Sequence, residues 1–172
     1  MRTKIISAFP ATGKSFYHQK HKETTLDSDS SNFSWTINED GNRVRNPEFP
    51  KNYVNHIKDN IGKYEFIFVS THKEVREALL DECIFFYLVY PDIARKEEFI
   101  ERFRKRGNDE AFVEYVSNNW NKWINEIRFL PDGCKLINMI LENLEDEIRH
   151  LKSVEFGEKI AENIISSLIN KL

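Results

Sequence analysis

The residues of this chain best suited to gripping a phosphate are Thr12-Gly13-Lys14-Ser15. A glycine lets the main chain approach an anion closely, and amides at a helix start converge on it. A following lysine reaches β- and γ-oxygens, and a hydroxyl next to it can ligate Mg²⁺. In front lies Ile5-Ile6-Ser7-Ala8-Phe9, a short, mostly apolar run of strand character. Strand, tight loop and helix therefore follow in the order this chemistry needs. Pro10, Ala11, Thr12, Gly13, Lys14, Ser15 and Phe16 are the expected ligand contacts. The plain alternative is a chance Thr-Gly-Lys-Ser at a strand–helix junction.

Two further groups carry charge at useful spacing. Thr24-Thr25-Leu26-Asp27-Ser28-Asp29 reads as a short second strand ending in two carboxylates. At the strand ends beside a phosphate loop, one carboxylate can hold hydrated Mg²⁺ while the other accepts a hydroxyl proton. A polar turn or helix cap is the competing reading. Arg95, Arg102 and Arg106 stand seven and four residues apart. On a helix they share a stripe roughly 40° wide. Guanidinium groups so placed can neutralise a transferring phosphoryl group as a lid closes. They can equally be surface partners of Glu98 and Glu101. Arg43 and Arg45, two apart on a strand, share a face and can clamp an anionic acceptor. Trp35 and Phe33 can stack on a base, but are read first as packing for that segment against the core.

Apolar runs at Ile5–Phe9, Phe66–Val69 and Ile84–Tyr90 are too short for helices and rich in β-branched or aromatic residues. They read as strands buried on both faces. Helical patterns lie between them, at Tyr53–Ile61 behind Pro50 and at His72–Cys83. This alternation predicts an α/β domain with a parallel sheet. Phe33–Pro47, with its Asp40-Gly41 dipeptide, predicts a small hairpin or an ordered loop inserted after the second strand. A charged helix is expected over Arg95–Arg106, with Asp92 as its cap, and a second over Asp109–Ile127. Phe99, Phe103, Trp120 and Trp123 are read as packing residues, with adenine stacking the alternative for Trp120 and Trp123. A last strand is expected at Ile148–Lys152 rather than Lys135–Asn138, with a closing helix over Glu155–Leu172. Ser70, Thr71 and His72 follow the third strand and suit a helix cap. Ser70 and His72 are also candidate contacts for an acceptor or γ-phosphate.

Composition narrows the rest. The chain has 172 residues, 25 Lys+Arg and 28 Asp+Glu, for a net charge of −3. That length predicts one domain with a substantial core. The longest apolar run, seven residues, is far short of the ~20 that span a membrane. No secretory signal is read at the N-terminus. Cys83 and Cys134 are the only cysteines, which argues against a disulfide scaffold or structural zinc and favours the cytoplasm. The slightly acidic balance disfavours general nucleic-acid coating.

With Ile5–Ser15 as its carrier, the chain resembles the P-loop kinases, differing from GxxxxGK[ST] only in Ala8 at the first glycine. It is most similar to the small nucleoside, nucleotide and metabolite kinases, including adenylate-kinase-like proteins of phages and bacteria, from about Lys4 to Ile127. That resemblance implies a three-layer P-loop domain over 1–172. It further implies a five-stranded parallel sheet, an acceptor-binding insertion at 28–62, and a helical lid with its following helix at 92–127. Residues 128–172 would hold the last strand and C-terminal helix. Asp27-Ser28-Asp29 is similar to the D-x-D of shikimate-type kinases, which implies Asp27 on the metal side with Ser15 and Asp29 on the acceptor side. Arg102 and Arg106 resemble lid arginines. A carboxylate after Phe66–Val69, usual in P-loop proteins, is missing here. The implied function is transfer of a γ-phosphoryl group from Mg²⁺–ATP to a nucleoside or nucleoside monophosphate, with Asp29, Arg43, Arg45 and His72 toward the acceptor. Two alternatives stand beside it: a kinase for a hydroxylated base in DNA, and a nucleotide-binding regulator with little turnover.

Overall fold

The computed structural model describes residues 2–128, 134–139 and 144–154. Strands and helices alternate through most of this length. Among the described residues, β1 (Lys4–Ala8), β2 (Thr25–Asp27), β5 (Phe66–Val69), β6 (Phe86–Pro91) and β7 (Cys134–Met139) form one sheet in the order β2-β5-β1-β6-β7. Every pairing is parallel. Parallel neighbours cannot be joined by tight turns, so each connection crosses over the sheet. The helices α1 (Lys14–Lys20), α2 (Lys51–Asn60), α3 (Lys73–Asp81), α4 (Lys96–Lys105) and α5 (Glu110–Arg128) lie in these connections. The result is an α/β architecture whose sheet is flanked by helices.

Burial follows from that layout. All four residues of β5 are buried, so both faces of this strand are covered. Phe66 and Phe68 alternate onto one face with ring planes 5° apart, and Tyr17 of α1 meets them edge-on at 6.2 and 5.7 Å. Phe9, just beyond β1, packs edge-on against Phe99 of α4 and Trp120 of α5 at 6.2 and 5.6 Å. Trp120 is fully buried, and its indole N–H donates to the Ile93 carbonyl at 2.9 Å. Phe99 and Phe103 are buried as well, which makes them the packing residues expected of this helix.

The hairpin forms as β3 (Trp35–Ile37) against β4 (Arg43–Arg45), antiparallel, with Gly41 at φ 78° in its turn. A positive φ is what an Asp-Gly turn supplies without strain. Asp92 caps a short 3₁₀ turn, Ile93–Arg95, by accepting from the Ala94 amide at 2.9 Å; that turn leads into α4.

The expectation for the last strand is overturned, and Trp35, read as packing for its segment, is exposed. The last strand is Cys134–Met139, paired in parallel along its length with β6, while residues 144–154 form a helix, α6. Ile148 and Lys152 belong to this helix. Leu144, Glu147 and Ile148 are its buried positions, a spacing of three and four that a helix satisfies and a strand does not. The expected closing helix over Glu155–Leu172 lies outside the described residues. Among the described residues, no helix is long and apolar enough to cross a membrane.

Candidate functional site

The C-terminal ends of β1, β2 and β5 converge on a cleft of about 480 Å³. It is lined by the loop from Pro10 to Phe16, by Asp27 to Ser30, by Ser70 to His72, and by Arg106. The crevice outside the carboxyl ends of parallel strands is where such sheets bind ligands.

The loop takes its shape from two residues in the left-handed region. Gly13 has φ 103° and Ala11 φ 63°. Ala8, by contrast, is the last residue of β1 and fully buried, so no glycine is required where the P-loop pattern has its first one. The Thr12 hydroxyl donates back to the Phe9 carbonyl at 2.7 Å and fastens the loop to the end of β1. Across the loop, the Leu144 amide donates to the Thr12 carbonyl at 3.1 Å, so α6 abuts this turn. The Tyr17 amide bonds the Gly13 carbonyl at 2.9 Å, which leaves the amides of Lys14, Ser15 and Phe16 ahead of the α1 ladder.

Charge is concentrated in this cleft. Lys14 Nζ donates to the carbonyls of Ala8 and Phe9. Burial pulls its pKa down to about 8, with Arg106 pushing the same way while Asp27 and Asp29 oppose. The Ser15 hydroxyl donates to Asp27 Oδ2 at 2.7 Å, a contact the sequence spacing anticipates. Asp29 lines the cleft too, and one of its oxygens caps the 3₁₀ turn Ser30–Asn32 through the Ser31 amide at 2.8 Å. The cap reading and the cleft reading therefore hold together for this residue. His72 sits across from it, with Nδ1 3.5 Å from Ser30 Oγ. Desolvation lowers the His72 pKa, aided by Arg45, Lys14 and Arg76 and countered by Glu74. Its imidazole is therefore neutral at pH 7.

The donor set suits Mg²⁺. A hydroxyl and a carboxylate stand in contact beside the loop, and this ion is held by one or two carboxylates together with substrate phosphates. No three acidic, His or Cys side chains group as a closed metal cage among the described residues.

The arginines divide. Arg106, at the end of α4, reaches the cleft lining. Arg102 donates to Glu98 at 2.6 Å and to the Ala11 carbonyl at 3.2 Å, while Arg95 donates to the same carboxylate at 2.7 and 2.8 Å. The common stripe of Arg95 and Arg102 thus converges on Glu98, and Arg102 braces the loop from behind. Arg43 and Arg45 share a face of β4 as the spacing requires, with guanidinium groups 4.9 and 5.8 Å from the Trp35 ring. Arg45 also pairs with Glu74. Neither lines the cleft.

One feature escapes a reading of the sequence. Tyr53 of α2 is fully buried; its hydroxyl donates to the Ser28 carbonyl at 2.6 Å and accepts from the Ser70 amide at 3.3 Å. It ties the ends of β2 and β5 together under the cleft, and burial raises its pKa to about 12. The buried Ser28 and Ser70 hydroxyls, both in residues of the cleft lining, have no hydrogen-bond partner among the described residues. A buried hydroxyl left without a partner is costly. No local pattern signals the Tyr53 tie, because it joins segments distant in sequence. No protein-family model matches this chain, and no curated protein matches it.

Proposed function

We propose that the protein is a P-loop phosphotransferase that moves the γ-phosphoryl group of ATP, with Mg²⁺, to the hydroxyl of a small acceptor, a nucleoside or nucleoside monophosphate. One observation carries this reading: the loop from Pro10 to Phe16, Lys14, the Ser15–Asp27 pair, Asp29 and Arg106 line a single cleft at the sheet's carboxyl edge. Bound Mg²⁺ would supply charge neutralisation between neighbouring phosphates. Lys14 provides a fixed cation at the loop, and Ser15 with Asp27 provides the oxygen ligands. Arg106 brings a further cation against the developing charge, and Asp29 takes the proton of the attacking hydroxyl. In the transfer, the acceptor oxygen bonds to the γ-phosphorus as its bond to the β–γ bridging oxygen breaks. ADP leaves with that electron pair. Positioning and electrostatics do the work, with no covalent enzyme intermediate.

A second reading, transfer to a hydroxylated base in DNA, rests on the hairpin. Trp35, Ile37, Arg43 and Arg45 are exposed cross-strand partners on one face. An aromatic ring beside cations is what a single strand stacks on.

The decisive experiment is a transfer screen with γ-labelled ATP against nucleosides, nucleoside monophosphates, sugars and hydroxymethylated oligonucleotides. Label in a nucleoside or its monophosphate supports the first reading, and label confined to DNA the second. ATP binding without any labelled product would leave a nucleotide-binding regulator.

A further inference from the structure

A second cavity of about 360 Å³ shares Pro10, Thr71 and His72 with the phosphate-loop cleft. Its walls are of a different kind. Phe9 and Phe103 close its floor, both nearly fully buried. Phe112, Tyr115 and Trp123 of α5 form the side; Phe103 meets Phe112 edge-on at 5.6 Å and Tyr115 meets Trp123 at 5.5 Å. Tyr115 is 58% exposed and Phe112 38%, which core packing does not explain. An apolar concavity with polar groups at its margin is the ordinary form of a small-molecule site. Here those groups are the buried Arg76, together with Lys73 and Glu126.

We propose that this cavity is the acceptor subsite and that its occupant is a nucleoside, held by its heteroaromatic ring. The claim rests on the phosphotransferase reading for its direction, since the occupant's hydroxyl would meet the phosphoryl group where the two cavities join. Three arguments select the ring. The exposed ring surface of Phe112 and Tyr115 offers a flat aromatic guest the ring-on-ring packing that aromatic pairs prefer. Donors at Lys73 and Arg76 and an acceptor at Glu126 match a ring bearing both acceptor and donor edges. The volume suits one small ligand rather than a chain. The junction supplies polar contacts at Thr71 and His72, which places the sugar there and the base among the aromatic rings.

The test is calorimetric titration of the full chain with adenosine, guanosine, cytidine and thymidine, and with ribose and glycerol as ring-free controls. Fluorescent ATP is titrated separately. Saturable binding of at least one nucleoside is expected, with ribose and glycerol silent. Tyr115→Ala should weaken that nucleoside at least tenfold and leave the affinity for fluorescent ATP unchanged. Trp123→Phe, which keeps a ring, should lose less than Trp123→Ala. No nucleoside binding, equal binding of ribose, or an unchanged affinity in Tyr115→Ala would each overturn the proposal. So would binding of a hydroxymethylated oligonucleotide where free nucleosides fail. Failure of wild-type protein to bind fluorescent ATP would instead strike the phosphotransferase reading, because the nucleoside titration contains no nucleotide.

Discussion

The cleft at the loop from Pro10 to Phe16 and the aromatic cavity meet at Pro10, Thr71 and His72, yet they are built by opposite means. The first takes most of its lining from short runs at strand ends, where Asp27 and Lys14 are set by the strand and loop that immediately precede them. The second takes its walls from α4, α5 and the start of α3, whose residues lie far apart in sequence. Charge dominates one and ring surface the other. On the proposed reading, phosphate contacts would reside in local chain geometry and acceptor contacts in helix packing. Substitutions in the cleft should therefore impair nucleotide handling at nearly constant stability, whereas those in the cavity should act on acceptor affinity.

The largest effect is expected from Lys14→Ala. Loss of the loop cation should lower phosphoryl transfer by about 10³-fold or more, with a melting temperature within about 3 °C of wild type. Transfer kinetics beside a thermal melt checks both halves. Arg106→Ala follows, with kcat down about 10²-fold, while Arg102→Ala should act chiefly on stability, by about 1 kcal/mol, because it braces Ala11 and pairs with Glu98. Equal kinetic loss in both variants would erase the distinction drawn between them. Asp27→Asn should raise the Mg²⁺ concentration needed for half-maximal activity by about tenfold, read from a metal titration.

Lys14 also gives a test by pH. With its pKa lowered to about 8, it loses its proton as pH rises through that value, and triphosphate affinity should fall in parallel. Stability should move the other way. Between about 8 and the ordinary lysine value of 10.5 the unfolded chain holds more protons at this position, so unfolding becomes harder as pH rises there. Lys14→Met should flatten both trends, as seen in nucleotide titrations and chemical denaturation at several pH values. The smallest effect is at Ala11, whose φ of 63° strains a side chain. Ala11→Gly should stabilise the fold by at most about 1 kcal/mol, offset in part by the greater freedom of glycine when unfolded.

Much of the cleft is legible without a structure because its parts are sequence-local. Gly13, Lys14 and Ser15 stand in one turn, and Asp27 ends a short strand whose apolar residue, Leu26, precedes it. The hairpin is legible through Asp40-Gly41, which only a tight turn favours. The last strand is not. Its position depends on which segment finds the free edge of β6, and Leu144, Glu147 and Ile148 hide a helical face by including a buried carboxylate. Arg43 and Arg45 show a similar limit: their shared face was readable, but that face lies over Trp35.

The amino-acid order alone determined the alternation of strands and helices and the strand–loop–helix that carries Lys14, since both follow from residue type over a few neighbouring positions. Only the tertiary structure decided that Tyr53 ties β2 to β5, that Arg106 and not Arg102 reaches the cleft, and that Phe112, Tyr115 and Trp123 wall a cavity beside it. These depend on how helices pack across the sheet, and packing is settled by the whole core at once.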